Sequence, residues 1–129
     1  MTSPGKPTVL IIDDDQVVSQ QLVSLLRAAG YPAKSALDPV QGFMVAQRER
    51  PGLILLDVNL PAGGGVRLLE RLLKTTTTQL IPVVIITASE DPALEGEVRA
   101  KGAAGFIRKP VDTEKLVAAI GAALKPLAG

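Results

Sequence analysis

Val9-Leu10-Ile11-Ile12-Asp13-Asp14-Asp15 is an apolar run that breaks directly into three carboxylates. A strand with one solvated face would alternate apolar and polar residues; this run does not. It reads as a strand buried on both faces, as in a parallel sheet covered by helices. Leu53-Ile54-Leu55-Leu56 and Val83-Val84-Ile85-Ile86 have the same character. Ala33 to Leu37 is a weaker strand suited to a sheet edge, and Gly105-Phe106-Ile107 is a fifth. Helical periods fill the gaps. Val18, Leu22, Leu25 and Leu26 share one face, as do Val40, Phe43 and Met44; Val66, Leu69 and Leu73; Leu94 and Val98; and Leu116, Ile120 and Leu124. Asp15 suits the start of the first helix, and Asp112 or Thr113 the N-cap of the last. Gly30 and Gly102 fall where helices should end, and Lys125-Pro126 stops the last one.

The order is therefore βα repeated five times. Parallel strands need right-handed crossovers, which place helices on both faces. The expectation is an α/β fold: a doubly wound, five-stranded parallel sheet of flavodoxin-like (βα)5 type, strand order 2-1-3-4-5. One domain should occupy residues 8–125, with short tails at 1–7 and 126–129. With no output domain expected after the last helix before Gly129, the expectation is a stand-alone module or a piece of a longer protein.

Composition narrows the function. The 129 residues are 47% hydrophobic, enough for one core. Fourteen basic and 13 acidic residues leave a net charge of +1, which argues against coating a nucleic acid. Cys and His are both absent, excluding disulfides, thiolate or imidazole catalysis, and Cys or His metal sites. A metal here must be held by oxygen, and any phosphohistidine must come from another molecule. No apolar run approaches membrane-spanning length, and Met1 to Pro7 carries no signal-peptide core, so a cytoplasmic protein without membrane contact is expected.

In doubly wound sheets ligands bind beyond the carboxyl ends of the strands. Those ends carry Asp13-Asp14-Asp15, Asp57, Thr87 and Lys109-Pro110. Carboxylates from adjacent strand ends repel in a partly dry cleft, and a divalent cation relieves this. Asp57 beside such an ion could accept a phosphoryl group, with Lys109 and Thr87 on its oxygens. Singly, each residue has a plainer reading. Asp13 and Asp14 could form a solvated loop, Thr87 a strand-end hydrogen bond, Lys109 a free cation, and Phe106 a core aromatic. Gly63-Gly64-Gly65 lacks the Gly-Lys-Ser/Thr of a P-loop. Thr75 to Thr78 reads as a polar connection, and Arg67, Arg71 and Lys74 as a solvated helix face.

Over roughly Thr8 to Leu124 the chain resembles the receiver domain of two-component response regulators. The matching pieces are Val9 to Asp15, Leu55-Leu56-Asp57-Val58-Asn59-Leu60-Pro61, Ile86-Thr87-Ala88 and Phe106-Ile107-Arg108-Lys109-Pro110. The resemblance implies that Asp57 is the phosphoacceptor. It implies Mg²⁺, or Mn²⁺, held by Asp14, Asp57 and the Asn59 carbonyl, with Asp13 acting through water. Thr87, Lys109 and the N–H groups of Asn59 and Ala88 would hold the phosphoryl group. Lys109-Pro110 would be cis. Thr87 and Phe106 would switch the face formed by the fourth helix, fifth strand and fifth helix. The donor would be a sensor histidine kinase or phosphotransfer protein, the target or output domain is left unspecified, and the chain would be a monomer or weak homodimer.

Departures are Gly64-Gly65, where the family often has Asp-Gly, and Phe106, where it often has Tyr. Asn59 and Ser89 occupy the positions that tune phosphoryl lifetime in the family. The expected class is a signalling phosphoacceptor, not an enzyme in the ordinary sense. A Mg²⁺-dependent phosphohydrolase with an aspartyl nucleophile is a rival, but Asn59 stands where its general acid would be. A flavodoxin-like cofactor binder is disfavoured by three consecutive aspartates and 2% aromatic residues. A receiver-like interaction module that is never phosphorylated is disfavoured by the complete set of Asp14, Asp57, Thr87 and Lys109.

Overall fold

A computed structural model describes residues 5–60 and 64–125. Five strands and five helices alternate: β1 (Val9–Ile12), α1 (Gln16–Ala28), β2 (Ala33–Ala36), α2 (Pro39–Glu49), β3 (Leu53–Asp57), α3 (Gly64–Lys74), β4 (Val83–Thr87), α4 (Leu94–Ala100), β5 (Gly105–Arg108) and α5 (Thr113–Leu124). All pairings are parallel, in the order β2-β1-β3-β4-β5. This is the doubly wound sheet the sequence predicts. Residues 1–4 and 126–129, most of the expected tails, lie outside the described residues, as do Pro126 and Gly63.

The unalternating apolar runs are explained by two cores, one on each face. Leu10, Ile12, Ile54, Leu56, Val83 and Ile85 pack against residues of α2, α3 and α4. Val9, Ile11, Leu53, Leu55, Val84 and Ile86 pack against residues of α1 and α5. Successive side chains on a strand point to opposite faces, so only a run apolar at every position serves both cores.

The helix boundaries follow local chemistry. Asp15, Asp38 and Asp112 cap α1, α2 and α5, each accepting N–H groups of the first turn. Gly30 and Gly102 adopt φ of +93° and +113°, the left-handed turn that closes α1 and α4. Thr78 departs from its polar-connection reading. It is buried, and its hydroxyl donates to the Leu72 carbonyl at 2.7 Å, satisfying the end of α3.

The apolar face assigned to α2 needs correction. Phe43 is buried, but Val40 and Met44 are 68% and 54% exposed. Gly42 and Ala46 turn inward instead, because α2 lies close to the sheet: a Cβ at Gly42 would meet Ile12 Cδ1 at 2.7 Å. On α3, Leu69 is buried as expected, while Leu68 and Leu72 are buried in preference to Val66 and Leu73.

Candidate functional site

Register brings the polar strand ends to one rim. Ile12 pairs with Leu56, so Asp13 emerges level with Asp57. Asp57 pairs with Ile86, and Thr87 with Arg108, which places Thr87 and Lys109 one step further along. Asp13, Asp57 and Thr87 are buried, whereas Asp14, Asn59 and Ala88 are exposed around them.

Lys109 joins the two buried carboxylates. Its Nζ donates to Asp13 Oδ2 at 2.9 Å and to Asp57 Oδ2 at 3.3 Å. Its backbone N–H donates to the Thr87 carbonyl at 2.7 Å, and the Lys109–Pro110 bond is cis. The other carboxylate oxygens are also engaged. Asp57 Oδ1 accepts the Asn59 N–H at 2.9 Å, and Asp13 Oδ1 accepts the Asp15 N–H at 2.9 Å. Each is a side-chain-to-backbone bond two residues on, which turns the chain sharply out of its strand.

The expectation of mutual repulsion is met only in part. Burial is the main cause that pushes the Asp57 carboxyl above its ordinary range, and the nearby Asp13 charge adds to it. The Asn59 N–H and the Lys109 charge oppose this without cancelling it. For Lys109, burial disfavours the ammonium, but bonding to Asp13 and the charges of both carboxylates outweigh it, and the net shift is upward. Lys109 is therefore charged throughout the neutral range.

A pH dependence follows. A raised carboxyl holds its proton more tightly in the folded state than in the unfolded one. Its favourable contribution is complete below the unfolded value near 3.9 and is lost as pH rises through the folded value. At neutral pH and without divalent ions, Asp57→Asn should therefore raise the melting temperature, and the gain should shrink in acid. A thermal melt in chelator at neutral and acidic pH checks this; equal or lower stability of the variant at neutral pH would refute it.

Asp13, Asp14 and Asp57 can present carboxylate oxygens within 4.8 Å of one another. An all-oxygen set of this kind suits a hard divalent cation such as Mg²⁺. Asp13, Asp14, Asp57, Asn59, Thr87 and Lys109 thus come together at the rim, and Asp15 turns away to cap α1.

Three features escaped the sequence reading. The Asn59 side chain donates to Thr87 Oγ1 at 3.0 Å, and the Ser89 N–H donates to the same oxygen at 3.1 Å. Arg108 donates to the carbonyls of Ser89 and Asp91, the latter at 2.9 Å, and its guanidinium carbon stands 5.0 Å from the Phe106 ring centre. Phe106 is half-buried, packed against the α2–α4 core. Gly65 abuts the backbone of Val58, between Asp57 and Asn59. Only Gly65 had a sequence signal, as a glycine opening a helix.

The fold and site place the protein in the class of doubly wound parallel α/β domains with an acidic strand-end rim bridged by a lysine. The chain belongs to the response regulator receiver domain family, whose profile matches residues 9–121. It is 30% identical to protein PilH of Pseudomonas aeruginosa, over 90% of this chain and 96% of that protein. It is 34% identical to the DNA-binding dual master transcriptional regulator RpaA of Synechocystis, over 92% of this chain but only 49% of that protein. The chain thus spans about half the length of that relative. Among solved structures, the chemotaxis response regulator CheY4 of Vibrio cholerae superposes with a TM-score of 0.84 at 28% identity, covering 92% of this chain and 99% of that one. Receiver domains are phosphoacceptors rather than ordinary enzymes, and they bind Mg²⁺ at an acidic pocket. Among the described residues, no helix is long and apolar enough to cross a membrane.

Proposed function

We propose that residues 8–125 act as a phosphorylation-driven switch with Asp57 as the phosphoacceptor. The observation that carries this reading is the clustering of Asp13, Asp14 and Asp57 around the Lys109 ammonium at one strand-end rim. By likeness to the receiver family, the donor is a phosphohistidine of a sensor kinase or phosphotransfer protein; this chain has no His, so that His belongs to another molecule. An Asp57 oxygen attacks phosphorus, the P–N bond breaks, and its electron pair stays on the donor imidazole. Asp14, Asp57 and the Asn59 carbonyl would hold Mg²⁺, with Asp13 acting through water. Bound there, the ion supplies positive charge that offsets the repulsion between carboxylate and phosphoryl oxygens.

The chain's own residues do the rest. Lys109 follows charge from the carboxylates to the phosphoryl oxygens, and the N–H groups of Asn59 and Ala88 add neutral donors. The Thr87 hydroxyl turns from its Asn59 and Ser89 partners toward the phosphoryl group. Arg108 links β5 to the segment between β4 and α4, so this movement is felt at Phe106 and across the α4-β5-α5 face, where the target binds.

Incubation with acetyl phosphate and Mg²⁺, followed by intact-mass measurement, tests the reading. One phosphoryl mass should be gained, and it should vanish in Asp57→Asn and in chelator. No gain by the wild type under these conditions, or labelling that persists in Asp57→Asn, would overturn it.

A further inference from the structure

The α2–α3 face carries apolar side chains that neither core uses. Val40 and Met44 stand one turn apart on the outer side of α2 and are mostly exposed. Beside them runs a groove of about 180 Å³ between α2 and α3, walled by Pro39, Val40, Arg67 and Arg71 with Leu68 in its lining. It shares Pro39 and Val40 with a wider depression of about 690 Å³ that extends along α2 past Met44 to Arg48. The two form one continuous surface on the side of the sheet away from α1 and α5.

Its charge is one-sided. Arg67 and Arg71 lie one turn apart on α3, and Arg48 closes the far end on α2. None of the three forms an ion pair among the described residues. The bordering carboxylate, Asp38, is engaged by the Gln41 N–H as the α2 cap. Arg71 is held in place: its guanidinium carbon lies 3.8 Å over the ring centre of Phe43. In a chain of net charge +1, this local excess is a feature of placement rather than of composition.

We propose that the α2–α3 face is a second docking surface, and that its partner is an acidic amphipathic protein helix. An inter-helix groove with apolar side chains along one edge takes the anchors of one helix face. Met44, unbranched and polarisable, adapts to the shape inserted. Arginines at both ends fit carboxylates flanking those anchors, each able to take a two-pronged carboxylate contact. An anionic membrane is a poorer fit, because the one aromatic ring here, Phe43, is buried beneath Arg71. The surface shares no lining residue with the strand-end rim, so the proposal does not rest on phosphoryl transfer.

The test uses the ¹⁵N-labelled full chain and a synthetic helical peptide with leucines at i, i+3 and i+4 flanked by glutamates. Shifted amide signals should cluster on α2 and α3, and affinity should fall as salt rises. The same peptide with lysine for glutamate should not bind. Arg67→Glu with Arg71→Glu should weaken binding roughly tenfold or more, and Met44→Ser several-fold, both variants staying folded, as a cooperative melt shows, and keeping wild-type phosphoryl gain. No binding, shifts centred on α1, α4 or α5, binding to phosphatidylserine vesicles in place of the peptide, or self-association through this face would each overturn the proposal.

Discussion

Lys109→Met should cost about 2–4 kcal/mol of stability when divalent ions are absent, and Mg²⁺ should restore part of that loss. The Asp13 side chain is wholly buried, and that of Asp57 is only 7% exposed. Lys109 is the cation both share, at 2.9 and 3.3 Å. Truncating it leaves two carboxylates facing each other without a counter-charge. Desolvation then goes unopposed, and removing one partner of a buried charge cluster costs far more than the cluster contributes as a whole. Residual exposure of the lysine, 18%, places the loss at the lower end of the usual range for buried pairs. Urea titrations with and without Mg²⁺ measure it. Because burial already raises Asp57, the loss should shrink in acid, where that carboxyl takes up a proton. A midpoint unchanged in chelator at neutral pH would show that Lys109 does not hold the rim together.

Gly65→Ala should be comparably damaging, at about 3 kcal/mol. A Cβ at this position would lie 2.3 Å from Val58 Cα and 2.5 Å from the Val58 carbonyl oxygen. Both are backbone atoms and cannot swing aside. Relief requires moving α3 or the Asp57–Asn59 turn, so the variant should lose phosphoryl gain along with stability. Gly96→Ala is the matched control. Gly96 is an exposed residue of α4, and a Cβ there would meet nothing within 4 Å, so alanine should add roughly 0.5–1 kcal/mol. Thermal melts of the two variants should move in opposite directions; a stable, phosphorylatable Gly65→Ala would refute the steric account.

Much of the fold was legible because its strands are apolar at every position. Val9 to Ile12, Leu53 to Leu56 and Val83 to Ile86 can be satisfied only between two layers of helices, and that requirement implies crossovers and a parallel sheet. The rim was legible for a related reason: a polar residue directly after such a run must stand at a strand end. Asp13, Asp57, Thr87 and Lys109 all follow that rule. The caps Asp15 and Asp112 were readable because capping is local chemistry.

What sequence left open depends on distance between elements. The α2 period marked Val40 and Met44 as core, yet close approach of the helix to Ile12 favoured Gly42 and Ala46 inside and turned both outward. Thr78 looked like part of a polar tract until Leu72 offered a buried carbonyl. The hold of Asn59 on Thr87 joins positions 28 residues apart, and that of Lys109 on Asp13 joins positions 96 apart. Sequence by itself determined which residues are buried in strands and which chemistry stands at their ends, because both are set by the chain's own periodicity. Tertiary structure alone decided which of those groups touch, and which helix face is left for a partner, because contacts depend on register and inter-element spacing that no local pattern encodes.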